Sequence, residues 1–288
     1  MLTLLASIAA AALMGWVWVE RIEPNWFHLR HKTVRVNKPL PGPLTVLHLS
    51  DLHFVKERFF VSRFFEKLER LEIDFVFVTG DLIDAPSGIE PCINHLKKLK
   101  PKQGTYVVLG NHDYRIYPPF EALIHLVTGK DFTVPRREGE IGRLKQAVEE
   151  AGFHLLLNRN IPISLGNGQK AYLIGTDDPI TGRADFKRAF HGVENGVLHL
   201  ALTHAPIAFP SLGRHGVDIA FAGHTHGGQL RFPLIGPIPL AYHVSPIIDS
   251  TDRYGFVGLV SRGMGAQPVG AQRLFCRPEA VLVRIEGS

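Results

Sequence analysis

Short, mostly apolar runs recur along the chain from Leu44 onward, and each ends in polar residues with chemically capable side chains. Runs of four to six such residues, bounded by glycine or by polar turns, are typical of buried strands. We therefore predict strands at residues 44–49, 75–78, 106–109, 171–174, 198–202, 219–222, 256–260 and 280–285.

Between the first two runs, the apolar residues are spaced as they are on one face of a helix. Within residues 60–71 they are Val61, Phe64, Phe65, Leu68 and Leu71, at intervals that an amphipathic helix requires. Residues 141–151 and 185–190 predict two further helices. Strand, helix and strand in alternation predict an α/β fold, whose polar loops meet in one cleft beyond the carboxyl ends of the strands.

The first apolar run is much longer than the others. Residues 2–19 contain only Thr3 and Ser7 as polar members, and Trp16 and Trp18 stand near the end of the run. A helix of this length covers about 27 Å, close to the hydrocarbon core of a bilayer, and indole rings favour its interface. We expect an uncleaved membrane anchor. A cleaved signal peptide and a helix lying in the interface are the alternatives.

Basic residues indicate how the chain is oriented and divided. None precedes the long run, whereas several follow it, so the positive-inside rule predicts a catalytic body on the cytoplasmic side of the inner membrane. We expect three parts: an anchor at 1–20, a basic and proline-rich juxtamembrane linker at 21–43, and one folded domain at 44–288. The basic residues concerned are Arg21, Arg30, Lys32, Arg35 and Lys38.

Composition narrows the classes of function. The 288 residues are 45% hydrophobic and 20% charged, a balance that excludes a disordered or collagen-like chain. The net charge of +5 suits a phosphate-bearing partner or an anionic membrane. Cys92 and Cys276 lie far apart and form no C-x-x-C pair, so no disulfide framework and no cysteine-rich zinc site is indicated.

Five polar clusters follow the predicted strands, and each has an ordinary explanation when taken alone. A carboxylate after a strand commonly caps the next helix, and a single histidine there is commonly a core residue. Alternate residues of an extended segment share a face, so Asp-x-His can bind one ion, and His-x-His supplies two more imidazoles on one face. The clusters are Asp51-x-His53, Gly80-Asp81, Gly110-Asn111-His112-Asp113, His204 and Gly223-His224-Thr225-His226.

Together, in this order, the five clusters predict a metal site. Their ligands are nitrogen and oxygen without thiolate, which suits manganese, iron or zinc. One or two side chains from each cluster give seven candidate ligands. Seven are too many for one ion and fit two divalent ions that share a carboxylate.

These clusters resemble the five motifs of the calcineurin-like metallophosphoesterase superfamily, over about residues 44–285. The resemblance implies a four-layer α/β sandwich with two central mixed sheets. It implies one ion held by Asp51, His53, Asp81 and His226, and a second held by Asp81, Asn111, His204 and His224. A hydroxide between two ions, manganese by preference and zinc or iron as alternatives, would attack phosphorus, while His112 acts on the leaving oxygen. Asp84 and Asp113 are competing partners for His112.

A narrower resemblance joins the chain to a membrane-anchored bacterial phosphodiesterase branch that includes chlamydial-type UDP-2,3-diacylglucosamine hydrolases. It is carried by the anchor, by Ile22-Glu23-Pro24-Asn25-Trp26 and by the glycine-rich stretch from Gly223 to Gln229. It implies a phosphodiesterase or pyrophosphohydrolase at the membrane surface, with a lipid or lipid-linked phosphate substrate as in lipid A synthesis. Pro268 and Arg273 lie further apart than in the branch's compact Pro-x-Arg stretch, so we assign Arg273 no phosphate contact.

Other functions and two flanking segments complete the expectations. A nucleic-acid or cyclic-nucleotide phosphodiesterase needs the same ions and an open basic groove, and we expect no nucleic acid. A scaffold without catalysis would have lost ligands, and none is missing. No feature identifies a protein partner.

Residues 230–248 form either an apolar wall, a membrane-dipping surface or a packed loop, and residues 114–138 form either a lid or an extra packed helix.

Overall fold

The computed structural model describes residues 1–118, 132–238, 249, 255–265 and 272–288. Its strands are β1 (His28–Arg35), β2 (Leu44–Leu49), β3 (Phe75–Thr79), β4 (Thr105–Val108), β5 (Arg115–Ile116), β6 (Val134–Pro135), β7 (His154–Leu155), β8 (Arg159–Gly166), β9 (Gln169–Gly175), β10 (Leu198–Leu202), β11 (Ile219–Ala222), β12 (Leu230–Phe232), β13 (Gly236–Ile238), β14 (Val257–Val260) and β15 (Glu279–Glu286).

The α-helices are α1 (Leu2–Val17), α2 (Phe59–Leu68), α3 (Ile89–Lys98), α4 (Asn111–Tyr114), α5 (Glu138–Glu150), α6 (Phe186–Ala189) and α7 (Phe209–Arg214). A π-helical turn at Trp18–Ile22 continues α1, and short 3₁₀ turns lie at Glu23–Asn25, Pro86–Gly88, Pro206–Ala208 and His226–Gly228.

Two mixed sheets form the centre of the fold. The first has the order β1-β15-β2-β3-β4-β7, and β15 runs antiparallel to β2. The second has the order β14-β11-β10-β9-β8, and β8 runs antiparallel to β9. The other pairs within these sheets are parallel. The five polar clusters follow β2, β3, β4, β10 and β11, so parallel pairing brings them to common sheet edges.

The two sheets pack face to face through a continuous apolar core. Val46 and Phe77 of the first sheet and Leu200 and Phe221 of the second belong to one buried cluster. Phe77 and Phe221 meet edge to face, with ring centroids 5.0 Å apart. Burying a side chain of this size stabilises the fold by about 1.5–3 kcal/mol.

Helices cover the outer faces of both sheets. Phe65 of α2, Leu96 of α3 and Leu144 of α5 are buried against the first sheet. Phe209 and Leu212 of α7 are buried against the second. The arrangement of helix, sheet, sheet and helix confirms the four-layer α/β sandwich with two mixed sheets.

The amino-terminal helix stands apart from this core. Within the described residues, one helical stretch, Thr3–Asn25, is long and apolar enough to cross a membrane, and none of its most apolar part is buried. A signal sequence near the amino terminus meets the same criterion.

Part of the expected linker is a strand of the first sheet. β1 pairs with β15 along its whole length, from His28 beside Glu279 to Arg35 beside Glu286. Arg30 and Lys32 of this strand form ion pairs with Asp249 at 2.7 and 3.2 Å. The sequence gives little sign of β1 because this edge strand is rich in charged and polar residues, as edge strands commonly are.

The two flanking segments fall partly outside the described residues. The hypotheses of a lid at 114–138 and of an apolar wall at 230–248 include residues 119–131 and 239–248, which are not described. The described parts contain two short antiparallel hairpins, β5 with β6 and β12 with β13.

Candidate active site

The predicted site residues lie at the carboxyl ends of five strands and come together in one buried cluster. Asp51 and His53 follow β2, Asp81 follows β3, and Asn111 opens α4 after β4. His204 follows β10, while His224 and His226 follow β11. Their exposed fractions are all 8% or less.

The backbone at these positions is not extended as the sequence pattern predicted. The prediction that Asp51 and His53, and likewise His224 and His226, share a face of an extended stretch is wrong. Their φ angles are 50°, 48°, 67° and 48°, in the left-handed region that costs an ordinary residue about 1–2 kcal/mol. The chain turns sharply after each strand, and residues held this way are typical of functional sites.

Glycines make room for these turns. A Cβ on Gly223 would overlap Ser50 Oγ and Asp51 Oδ2, and one on Gly110 would overlap Asp81 Oδ1 and lie 2.7 Å from His204 Cε1. Glycine is required at both positions because the backbone lies so close to ligand side chains that there is no room for a Cβ.

Asp51, His53 and His226 form the first candidate metal group, with ligand atoms within 4.8 Å of one another. His53 Nε2 lies 3.2 Å from His226 Nε2 and 3.7 Å from Asp81 Oδ2. His226 Nε2 lies 3.6 Å from Asp51 Oδ1. Such spacing suits nitrogen and oxygen atoms that surround one ion at about 2.0–2.2 Å.

Asp81, His204 and His224 form the second group. His204 Nε2 lies 3.3 Å from Asp81 Oδ2, 3.1 Å from His224 Nδ1 and 2.9 Å from Asn111 Oδ1. Asp81 Oδ2 therefore faces both groups. Its other oxygen, Oδ1, accepts the backbone N–H of His112 at 2.8 Å, which fixes the carboxylate in this orientation.

Hydrogen bonds on the far side of the imidazoles orient the ring nitrogens that face the cluster. His204 Nδ1 lies 2.8 Å from the carbonyl oxygen of Thr79, and His53 Nδ1 lies 2.9 Å from Asp84 Oδ1. Each Nδ1 donates to an acceptor, so in the neutral rings each Nε2 presents a lone pair to the cluster. Asn111 donates its amide to Tyr117 Oη at 2.6 Å and turns Oδ1 inward. Converging lone pairs need a cation between them, so the donor set fits divalent metal ions.

The charges of the cluster lead to the same conclusion. Burial lowers the pKa of His204, but Asp81 outweighs it and raises that pKa to about 10. Burial likewise opposes a charge on His53, yet Asp84 and Asp81 raise its pKa to about 9. Burial and the charge of His204 lower the pKa of His224 to about 3. The carboxylates thus attract positive charge, which protons supply in the metal-free protein.

Asp84, rather than Asp113, contacts the candidate catalytic histidine. Asp84 Oδ1 lies 2.8 Å from His112 Nδ1. Asp113 instead accepts the backbone N–H groups of Leu82 and Gly110, both at 2.9 Å, so it joins the loops after β3 and β4. Among the described residues, Nε2 of His112 has no hydrogen-bond partner, although the residue is buried beside His53 and Asp81.

Sequence reasoning missed two residues that hold this histidine. The ring of Tyr117 stacks on His112, with centroids 4.1 Å apart. Arg136 is 5% exposed and donates to the carbonyl oxygens of His112 at 2.8 Å and of Asp84 at 2.6 Å. Neither residue belongs to a strand-end cluster, and spacing along the chain gives no indication that they meet His112.

Comparison with known proteins agrees with this geometry. A sequence model of the calcineurin-like phosphoesterase family matches residues 44–228, a span that includes every candidate ligand. The chain therefore belongs to the calcineurin-like phosphoesterase family, and it is a metal-dependent phosphoesterase. The family's fold uses a pair of divalent metal ions.

Three relatives show the breadth of the similarity. The chain is 29% identical to the uncharacterized metallophosphoesterase YkoQ of Bacillus subtilis, over 81% of this chain and 80% of the relative. It is 28% identical to the UDP-2,3-diacylglucosamine pyrophosphatase LpxG of Chlamydia muridarum, over 80% and 78%. It is 28% identical to the phosphodiesterase YaeI of Escherichia coli, over 97% and 95%.

Proposed function

We propose that the protein is a membrane-anchored phosphodiesterase or pyrophosphohydrolase that cleaves a lipid or lipid-linked phosphate, such as UDP-2,3-diacylglucosamine in lipid A synthesis. In this proposal residues 1–20 are the anchor, 44–288 form the catalytic domain, and β1 of the intervening 21–43 packs into its sheet. The relative LpxG, named for that substrate, supports the choice.

One observation carries the proposal: the base of the apolar helix is hydrogen-bonded to a segment that contacts the candidate site. The backbone N–H of Arg273 donates to the carbonyl oxygen of Val19 at 3.1 Å. The guanidinium of Arg273 is fully buried and lies 3.4 Å from Nδ1 of His226. A site held directly at the base of an anchor is suited to a substrate that resides in the membrane.

Arg273 also holds the loop that covers two ligands. Its guanidinium donates to the carbonyl oxygens of Arg262 at 2.8 Å and of Gly265. A Cβ on Gly263 would lie 2.7 Å from Asp51 Cβ, and one on Gly265 would lie 2.7 Å from His53 Cβ. These bonds leave Arg273 the role of a support rather than of a phosphate contact.

In the proposed site, Asp51, His53, Asp81 and His226 would hold one ion, and Asp81, Asn111, His204 and His224 would hold the other. Carboxylate, amide and imidazole ligands suit manganese, and zinc and iron also bind ligands of these types. When bound, the pair supplies a nucleophile from water at neutral pH and neutralises charge on the phosphoryl oxygens.

The chain's own residues then complete the reaction. As the bond between phosphorus and the leaving oxygen breaks, Nε2 of protonated His112 gives its proton to that oxygen. Asp84 stabilises the charged imidazole through Nδ1. Burial opposes ionisation of Asp84, but His53 and His112 lower its pKa well below the usual range, so it is a carboxylate at neutral pH.

The helix and its flanks support a location on the cytoplasmic side of the inner membrane. Arg21, which follows α1, is exposed, and Arg30, Lys32, Arg35 and Lys38 come after it. Basic residues on one side of a spanning helix favour the cytoplasm for that side.

The test is release of UMP from UDP-2,3-diacylglucosamine by the full-length protein in detergent with manganese. UDP-N-acetylglucosamine, which has the same pyrophosphate and no long acyl chains, is the matched substrate, and Asp81→Asn is the matched variant. Release from the acylated substrate alone, abolished in the variant, supports the proposal. Cleavage of bis-p-nitrophenyl phosphate without UMP release would overturn this substrate and leave other phosphodiesters as candidates.

A further inference from the structure

An apolar hairpin tip is exposed beside the site. β12 and β13 form an antiparallel hairpin, and at its tip Leu234 is fully exposed and Ile235 is 80% exposed. Side chains of this size stabilise a fold when they are buried, and here both are left in water. Leu234 also has a φ of 69°, a conformation in which Gly or Asn is usual. The turn therefore carries an apolar residue where local backbone preference favours a polar one.

Backbone hydrogen bonds connect this hairpin to the base of the apolar helix. The N–H of Arg231 donates to the carbonyl oxygen of Leu274 at 2.8 Å, and the N–H of Leu274 donates to the carbonyl oxygen of Gln229 at 3.1 Å. The same segment reaches the helix base, where Cys276 donates its backbone N–H to Glu23 Oε1 at 2.6 Å. The segment at residues 273–276 therefore joins the start of the hairpin to the helix base through direct hydrogen bonds on both sides.

Further exposed aromatic residues adjoin the same base. Phe275, between Leu274 and Cys276, is 60% exposed. Phe59 and Phe60, at the start of α2, are also exposed. Arg58, immediately before them, donates to Asn25 Oδ1 at 3.2 Å. Exposed apolar side chains gathered in this way mark an interaction surface.

The features of the helix base identify a lipid bilayer as the occupant. Trp18 and Trp26, at the end of the apolar helix, are partly exposed and meet edge to face at 6.0 Å. The guanidinium of Arg277 lies 4.0 Å from the ring centre of Trp26. Tryptophan beside arginine is typical of the level of lipid headgroups. A bilayer that contains α1 would have its surface at these indoles, within reach of the hairpin.

We propose that the tip of the β12–β13 hairpin, with Leu234 and Ile235, inserts into the headgroup region of the bilayer beside α1. This inference rests on the membrane anchoring in the proposed function. It gives the domain a second point of attachment, which fixes the side from which lipid reaches the site. The hairpin begins four residues after His226, so the attachment bears directly on the loop that carries this candidate ligand.

The experiment places an environment-sensitive probe at the tip. The full-length Ile235→Cys variant is labelled with NBD, since Cys92 and Cys276 are buried, and is reconstituted in phosphatidylcholine–phosphatidylglycerol vesicles. Asn167→Cys is the matched control, because Asn167 is also an exposed residue at a turn between two antiparallel strands, β8 and β9. Flotation first establishes that both proteins remain on the vesicles, which tests the anchoring separately.

We expect blue-shifted emission and at least twofold stronger quenching by lipid bearing a shallow doxyl group for the probe at 235 than for the probe at 167. Aqueous iodide should quench the probe at 167 more. Equal quenching at the two positions would overturn the proposal. Protection of the probe at 235 from both quenchers would also overturn it, and would indicate a protein surface, such as a second copy of this chain. None of these readouts depends on the substrate.

A second variant tests the tip without a probe. Leu234→Asn/Ile235→Asn removes the apolar surface and places a residue at 234 that accepts the left-handed backbone. We expect at least fivefold slower hydrolysis of UDP-2,3-diacylglucosamine presented in phosphatidylcholine–phosphatidylglycerol vesicles and unchanged hydrolysis of bis-p-nitrophenyl phosphate. An equal effect on both substrates, or on neither, would contradict insertion.

Discussion

Oδ1 of Asp84 lies 2.8 Å from Nδ1 of His112. The same oxygen accepts a second hydrogen bond, from Nδ1 of His53, at 2.9 Å. One carboxylate oxygen thus orients both a candidate metal ligand and the candidate proton donor. The two histidine rings meet edge to face, with centroids 4.7 Å apart. Substitutions at these three positions therefore separate metal binding from proton transfer.

Replacing His112 by Ala should remove proton donation and leave the metal content intact. We expect kcat to fall by about 100–10,000-fold for a diester with an alkyl leaving group, since an alkoxide needs a proton. The loss should be much smaller with p-nitrophenolate, which leaves without one. Steady-state kinetics on the two substrates, with metal content by mass spectrometry, checks this. An equal loss on both would contradict a donor role.

Replacing Asp84 by Asn should weaken both functions. An amide oxygen accepts weaker hydrogen bonds than a carboxylate oxygen does, and it carries no charge to stabilise a protonated imidazole. We expect lower occupancy of one metal site together with a fall in kcat of at least tenfold. Metal titration of the two variants provides the comparison, since His112→Ala should keep both ions. Full occupancy in Asp84→Asn would show that His53 does not need this acceptor.

Arg136 should act as a positioning residue. Replacing it by Met leaves the buried carbonyl oxygens of His112 and Asp84 without their donor, at a cost of about 1–3 kcal/mol each. We expect a lower free energy of unfolding and a lower kcat with little change in KM. Arg136→Lys, which can still donate to one carbonyl, should recover part of the kcat. Denaturant titration and kinetics measure both effects; a change confined to stability would exclude positioning.

A methyl group at Gly110 should disturb the second metal group. The added Cβ would press on Asp81 and His204, so we expect Gly110→Ala to fold and to bind one ion fewer. Gly142→Ala is the matched control, because it lies in α5 with no atom within 4 Å of the added Cβ. That control should raise the free energy of unfolding by about 0.5–1 kcal/mol. Two bound ions in Gly110→Ala would contradict the expectation.

His48 should make the protein less stable in acid. Burial between the sheets, with a smaller effect of Arg30, lowers its pKa from 6.5 to about 3. Below pH 6.5, His48 therefore binds a proton in the unfolded chain but not in the folded chain. The contribution of neutral His48 to the free energy of unfolding is present above pH 6.5 and is lost as the pH falls toward 3. At pH 5 the loss is about 2 kcal/mol.

The variant His48→Gln isolates this effect. Glutamine can keep the contact with Thr79, whose Oγ1 lies 2.8 Å from His48 Nε2, and does not titrate. Denaturant unfolding of both EDTA-treated proteins should show the stability difference moving by about 2 kcal/mol in favour of the variant between pH 8 and pH 5. A constant difference would show that His48 has the same pKa in the folded and unfolded chains.

Local pattern was sufficient to predict the strands that carry the site. β2, β10 and β11 begin and end at the predicted residues, because parallel strands buried on both faces read as continuous apolar runs. The clusters after them could be read as a metal site because their ligand types were unusual in combination.

Other features depend on contacts that no local pattern contains. β1 carries mostly polar residues, and its partner β15 comes from the other end of the chain. Arg136 and Tyr117 act on His112 through the folded arrangement of their loops. The left-handed backbone at Asp51 and His224 is imposed by the turns at the cluster, where spacing alone suggested an extended chain.

The pairing of β1 with β15 also sets the order in which the protein can be completed during synthesis. His28 lies beside Glu279, so at about 5–20 residues per second the strand waits roughly 10–50 s for its partner. The apolar helix leaves the ribosome first, and the unpaired strand is then exposed near the membrane. Its Arg30, Lys32 and Arg35 discourage pairing with other chains during that interval. A nascent chain released before residue 279 would keep its helix but lack the strand that joins β1 to β2.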